Sequence, residues 1–383
     1  MSWPGSQKQR GMTLVELLVS TAVGVMLITG IIQLMANNKQ HYQFQSELAR
    51  IQENGRYALS VIREDLQMAG VSGCAANTGI NNLLDTAAAS YTDTLFNLGQ
   101  AVGGWEYIAG GATTAPGDSN TISTVESSVL TDWHNGAASN SDLHGTLSDK
   151  IFKASDVLVV KSTEPALDLT NVAAFTFPTT TTSFSIDGRL DSDDGSRDEG
   201  WIVVISDCVG ADLFQNCSTT PGLIQRNGCA VSPANSASGF GHQYEVLQGG
   251  EDATISAISV NVYYVGAGQD NAPTLYRKDY SRGAPSNAEP LVEGVESMQV
   301  LYGVDASGDS VPNQYLTAAG LTGANADNVV SVRISLLLRS IGEIEDVDSS
   351  DRLLMAEALI NSGPDRYLRK TVSTTVQLRN RGI

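Results

Sequence analysis

The chain has 383 residues, enough for one large domain or two modest ones, with 42% hydrophobic and only 17% charged residues. Abundant Gly, Ser, Thr and Asn make that mix read as β-rich, loop-rich and extracytoplasmic. A net charge of −19 repels phosphate backbones, which excludes nucleic acid as an expected partner of the main domain. Residues 1–11 (MSWPGSQKQRG) are polar, with Lys8 and Arg10 just ahead of Gly11, and a nearly unbroken apolar run follows from Met12 to Ala36. About 20 apolar residues span a bilayer, so the run is long enough to be a single-pass anchor. An ordinary secretory signal carries its small-residue cleavage site after the apolar region; here the small residue, Gly11, stands before it. Lys8 and Arg10 hold the short leader in the cytoplasm, so the remainder is exported.

Glu16 contradicts a plain anchor, because a carboxylate within hydrocarbon costs on the order of 3 kcal/mol. One reading places it at the membrane edge, snorkelling to the headgroups. The surrounding pattern R-G-M-T-L-V-E-L offers another: it resembles the type III signal of type IV prepilins, with a basic leader, a Gly before the cut, a hydrophobic residue after it and Glu as the fifth residue of the product. The resemblance implies cleavage between Gly11 and Met12 by the prepilin peptidase and N-methylation of Met12. It also implies an assembly role for Glu16. In a filament whose anchors pack in a low-dielectric core, its carboxylate would pair with the cationic Met12 amine of a neighbouring subunit and favour axial register. Gly24 and Gly30 within the run mark either a flexible section or close helix packing.

A second stripe, Phe44, Leu48, Ile51, Gly55, Leu59, Ile62, Leu66 and Ala69, steps by three and four and so occupies one helical face. Gln45, Glu53, Arg56, Arg63 and Glu64 occupy the other, and Gly70 and Gly73 end the helix. One helix from about Met12 to Ala69 would be roughly 85 Å long. The alternative of an anchor followed by a coiled coil is disfavoured, since the stripe is short and interrupted at Gly55. The organisation expected is a leader at 1–11, the membrane or filament-core half of the helix at 12–36, its amphipathic half at 37–70, and a periplasmic β-rich domain at 71–383.

Four cysteines, Cys74, Cys208, Cys217 and Cys229, contain no CxxC pair, which speaks against zinc. In an exported chain they read as two disulfides in one of three connectivities, with the near neighbours Cys217 and Cys229 the preferred first pair and Cys74 with Cys208 following. Residues 74–150 read as loops and short elements laid over a core. Strands are expected at Asp156–Ser162 and Trp201–Asp207, at Ile255–Tyr264 and Thr274–Tyr280 as a pair joined through GAGQDNAP, and around Met298, Val300 and Tyr302, which alternate outward from Glu296. From Val329 to Arg339, Val330, Val332, Ile334, Leu336 and Leu338 share one face, with Ser331, Arg333, Ser335 and Arg339 on the other; Val372, Thr374, Val376 and Leu378 alternate likewise near the end. This predicts an α+β fold, one helix against an antiparallel sheet apolar on one side only, with large loop insertions.

Segments including ISDC, YYVG, LYRKDY, LVEGVESMQVLYGVD, VVSVRISLLLRS and the tail TTVQLRNRGI are similar to the PilW family of minor pilins; the likeness covers both ends and the C-terminal half and fades over 77–150 and 179–200. It implies a minor pilin that helps initiate type IV pilus assembly in a tip-located complex. The implied partners are other minor pilins, the major pilin, the prepilin peptidase, the inner-membrane assembly platform and a tip adhesin. The implied location is the inner membrane before assembly and the extracellular pilus afterwards. Alternatives are a type II secretion pseudopilin, with the same leader, and a membrane-anchored adhesin that never polymerises.

No enzyme or cofactor is expected: G-x-S-x-G, S-x-x-K, H-E-x-x-H and GxxxxGK[ST] are all missing from the sequence. The remaining His are His41 and His242, and the repeated Asp132-Trp133-His134 and Asp142-Leu143-His144 read as chance repeats in a solvated loop in preference to metal ligands. The acidic stretch 187–199 (DGRLDSDDGSRDE) fails the EF-hand spacing, and a polar surface turn is favoured over a calcium loop of another geometry.

Overall fold

Residues 12–69 contain no proline and few β-branched residues outside the anchor, and in the computed structural model they form one helix, α1 (Leu14–Met68, 55 residues), about 80 Å long. The structure describes residues 13–70, 79–108, 119–122, 126–136, 142–147, 150–164, 175–185, 200–207, 209–220, 222–236, 239–246, 253–344, 347–356 and 358–380. Thr13 caps the start, its Oγ1 accepting the Glu16 N–H at 3.3 Å. Gly70 takes φ 77° after the last turn, a left-handed conformation that suits a residue without Cβ, and its N–H is received by the Lys161 carbonyl at 3.0 Å. The chain divides into two compact units, Met1–Arg50 and Ile51–Ile383.

In the second unit, Ile51, Gly55, Ala58, Ile62 and Leu66 are the buried face of α1. The expected stripe is shifted by one position at its centre: Ala58 is fully buried, whereas Leu59 only leans on the core. These residues pack on a four-stranded antiparallel sheet ordered Gln314–Leu316, Val295–Val304, Val329–Arg339, Arg369–Gln377. Its α1-facing side carries Met298, Val300, Tyr302, Val332, Ile334, Leu336, Leu338 and Val376, the apolar face anticipated from alternation. Gly55 is where helix and sheet come closest. A Cβ there would lie 3.1 Å from Val372 Cγ2 and 3.3 Å from Leu338 Cδ1. Polar ties flank the contact: Asn54 Nδ2 donates to the Glu293 carbonyl, Arg63 to Thr374 Oγ1, and Asn261 Nδ2 and the Tyr263 hydroxyl both donate to the Asp65 carboxylate.

The sheet is not apolar on one side only. Strand 295–304 is buried along its whole length, and Ser331 and Ser335 on the supposed polar face are buried too. A second layer accounts for this: Leu337 packs with Met355 and Ile360 from the small sheet Arg352–Met355, Ala358–Asn361 and Ser119–Thr121. Short hydroxyl and amide side chains are tolerated there because they are bonded, Ser297 Oγ to the Ala154 carbonyl at 2.6 Å and Gln299 Nε2 to the same oxygen at 3.3 Å.

A nine-stranded sheet forms the other layer. Its main path runs Ile80–Asn82, Ala211–Gln215, Ile202–Ser206, Thr254–Ala267, Val157–Thr163, Val102–Tyr107, Trp133–His134, and Pro273–Asp279 and Glu289–Glu293 continue from strand 254–267. Strand 254–267 pairs with three neighbours, and its turn into 273–279 places Asp270 and Asn271 at positive φ, which Asp and Asn tolerate better than most residues. Among the described residues of this sheet only the 80–82 strand pairs parallel, beside 211–215. Residues 74–150 do more than lie over a core. Val102–Tyr107 is a fully buried strand, and Leu95, Phe96, Trp105, Trp133 and Leu147 build the second hydrophobic cluster. Sequence patterning hid this because both faces of 102–107 are covered, which removes alternation.

Candidate functional site

The first unit presents an interface without a partner. From Leu14 to Met35, α1 is apolar around its whole circumference, with a mean hydropathy of 2.2 over its most apolar 18 residues, none of them buried. Leu14 is 75% exposed, Met26 80% and Met35 68%. A helix apolar on all sides finds its stable surroundings in lipid or among other helices. Its hydroxyls are satisfied internally: Ser20 donates to the Glu16 carbonyl at 2.6 Å, Thr21 to Leu17 at 3.0 Å and Thr29 to Val25 at 2.7 Å. Such back-bonding hides polar groups from hydrocarbon. That leaves Glu16 as the one charged side chain of this stretch. It stands in the first turn of α1, exposed, three residues after the capping Thr13, where the positive end of the helix dipole favours a carboxylate. A Cβ at Gly24 or Gly30 would meet nothing within 4 Å, so their close-approach surfaces are open.

Gly11 and Met12, the residues of the expected cut, lie outside the described residues, as do Cys74, Cys208 and the acidic stretch 187–199. Cys217 and Cys229 are joined by a disulfide with Cα atoms 4.4 Å apart, closing the loop beside Asn235, whose Nδ2 donates to the Gln215 and Arg226 carbonyls. The two D-x-H repeats do not sit in a solvated loop. Trp133 is fully buried and Asp132 nearly so. His134 Nδ1 lies 4.0 Å from Asp142 Oδ1, while His144 turns elsewhere, to Thr146 Oγ1 and the Ser90 carbonyl. Burial depresses the His144 pKa below the usual histidine value. His41 is exposed on α1, and His242 Nε2 meets Asp207 Oδ2 at 2.9 Å. Among the described residues no cluster of three or more His, Cys, Asp or Glu is placed to hold a metal.

Sequence reading missed a buried ionic group in the four-stranded sheet. Strand 295–304 has a bulge against Val329–Arg339 between Val295 and Ser297, and Glu296 sits in it, 1% exposed. Arg369 Nε donates to Glu296 Oε2 at 2.7 Å, and its two terminal nitrogens each reach Asp365 at 2.6 Å; Arg339 adds a contact to Glu296 Oε1 at 3.3 Å. Burial opposes the charge on Arg369, but the hydrogen bonds it donates to Asp365 and Glu296 more than offset it and hold the guanidinium above its ordinary pKa. Asp156 is a second hidden carboxylate. It accepts the Tyr107 N–H at 3.2 Å and the Val300 N–H at 2.9 Å, fastening the two large sheets together. Burial pushes its pKa up to about 7 despite those donors.

Comparison with known proteins matches both ends of the chain. Residues 6–32 fit the family model described as the prokaryotic N-terminal methylation motif, and residues 262–380 fit that of the type IV pilus-assembly protein W. No curated protein matches. Among solved structures, a type IV-like pilin from Thermus thermophilus shares 16% identity over 33% of this chain and 67% of its own, with a TM-score of 0.21.

Proposed function

We propose that this type IV pilin-like chain of the PilW family is a minor pilin, a structural subunit that helps to initiate pilus assembly from a tip-located complex. The family-model matches over residues 6–32 and 262–380 support a pilus-related role, contact with other pilus components and association with the membrane. The observation that carries the finer reading is the pairing of an N-terminal methylation motif on a helix apolar and exposed all round with a PilW-type sheet on which the same helix docks.

In this reading the prepilin peptidase cuts between Gly11 and Met12, and Met12 is N-methylated. The apolar half of α1 waits in the inner membrane with the β-rich domain in the periplasm, then moves into the filament core. There Glu16 pairs with the Met12 amine of a neighbouring subunit. A charge-assisted pair in a low-dielectric core penalises any axial offset that leaves Glu16 alone. Partners are the other minor pilins, the major pilin, the assembly platform and a tip adhesin. The protein acts by packing, and no catalytic step is assigned to it.

The test is the mass of the N-terminal peptide from cells with and without the peptidase, together with recovery of Glu16→Ala in sheared pili. A peptidase-dependent peptide beginning at methylated Met12, and a mutant that is inserted and cut but at least tenfold depleted from pili, are the expected results. An intact 1–11 leader in both strains, or normal recovery of the mutant, overturns the reading.

A further inference from the structure

The sheet edges of this molecule are not equivalent. Most are blunted in the ways that prevent edge-to-edge pairing. Ile80–Asn82 and Gln314–Leu316 have three residues each and Trp133–His134 has two, while Glu289–Glu293 carries Pro290 and faces a register shift between Leu275 and Tyr276. Arg369–Gln377 is different. It pairs with Val329–Arg339 over nine consecutive positions without a bulge, contains no proline, and has no strand on its other side among the described residues.

Its hydrogen-bond phase is set by the flanking bonds, Leu378 N–H to the Val330 carbonyl and Leu368 carbonyl from the Ser340 N–H. Even-numbered residues therefore bond inward, and the backbone N–H and C=O of Thr371, Ser373, Thr375 and Gln377 point outward. All four residues are exposed. Alongside lies a groove of about 320 Å³ between this strand and α1, lined by Arg63, Gln67, Thr375, Gln377 and Arg379 and by no carboxylate. Among the described residues Arg63, Lys370 and Arg379 have no carboxylate partner, in a chain of net charge −19. A continuous row of open backbone groups flanked by unneutralised cations is complementary to an extended segment bearing acidic side chains.

We propose that the outer edge of strand 369–377 receives an acidic β-strand from another subunit of the same filament, with Arg63 and Arg379 meeting its carboxylates. This deepens the minor-pilin reading and rests on it. The docking strand adds main-chain bonds at 371, 373, 375 and 377, and the groove beside α1 takes its acidic side chains.

The test replaces Thr375 by the photo-cross-linker p-benzoylphenylalanine in the full chain, in piliated cells, with the same replacement at exposed Leu354 as control. The expected result is a cross-link from position 375, not from 354, to a peptide containing Asp or Glu in a different pilus subunit. The yield falls at least tenfold in Arg63→Glu/Arg379→Glu and in Ser373→Pro, and is kept in Ser373→Ala, which retains the outward N–H. Thermal unfolding of each variant confirms that it is folded. A folded chain recovered in sheared pili without the cross-link, a cross-link only to a second copy of this chain, or a yield indifferent to all three variants overturns the edge and leaves the minor-pilin reading intact. A chain missing from the pili overturns both.

Discussion

The two halves of α1 obey the same helix geometry and opposite burial rules. Between Ile51 and Ala69 one stripe is buried and the rest of the circumference is mostly polar, because the sheet covers a single side. Between Leu14 and Met35 every side is apolar and almost every residue is exposed. A stripe means the partner lies within the same chain; an all-round apolar surface means that the partner is lipid or other chains. The charged side chains follow the same division, with Asp65 bonded into the fold while Glu16 faces outward.

The sharpest way to break the comparison is to loosen the sheet that receives the docked half. Arg369→Ala leaves Glu296, which is 1% exposed, with only its 3.3 Å contact to Arg339, and should cost about 3–5 kcal/mol in urea unfolding of the full chain in detergent. Ile62→Ala, at a fully buried position, should cost about 2–5 kcal/mol. Its counterpart Ile28→Ala, 59% exposed, should leave the same transition within about 0.5 kcal/mol. Equal losses at 62 and 28 would show that the two halves are not distinct. The glycines form a matched pair. Gly55→Leu drives side-chain atoms into Val372 and Leu338 and should destabilise by about 1–3 kcal/mol, while Gly24→Leu meets nothing within 4 Å and should be silent in unfolding.

A pH dependence belongs to the second unit alone. Asp156 loses its proton near 3.8 when unfolded and near 7 when folded. Between those values the folded chain binds more protons, so its contribution is complete below about pH 4 and is lost as pH rises through about 7. Wild-type stability should therefore fall relative to Asp156→Asn as pH is raised across that window, by an amount on the order of 4 kcal/mol. A constant difference between the two proteins from pH 4 to 8 would remove Asp156 from that role.

Much of the helix and of the C-terminal sheet was legible in the residues. The steps of three and four through Ile51, Ile62 and Leu66, the alternation of 329–339, and the Gly-Gln-Asp-Asn turn between 254–267 and 273–279 are local patterns, and local geometry produced them. The strand 102–107 was not legible, since two covered faces leave no period and its glycines look like loop. The exchange of Leu59 for Ala58 at the helix centre has a similar origin: where helix and sheet meet at Gly55, the close approach favours the smaller side chain. Of the residues proposed to act in assembly, Glu16 was marked by its cost within an apolar run. The basic edge at 369–377 carried no such mark, because nothing local distinguishes an edge strand from a central one.

By itself, then, the sequence determined that a long helix is apolar on every side for one half and on one face for the other, and that alternating strands follow. Those properties depend on neighbours three or four residues apart in a helix and two apart in a strand. Only the tertiary structure decided that Glu296 turns inward at a bulge to meet Arg369, that Asp156 joins two sheets through Tyr107 and Val300, and that strand 369–377 ends the sheet with no strand beyond it among the described residues. Each of these relations binds groups tens to hundreds of positions apart, and each exists only once hydrophobic burial has brought the strands together and excluded the water that would otherwise satisfy them.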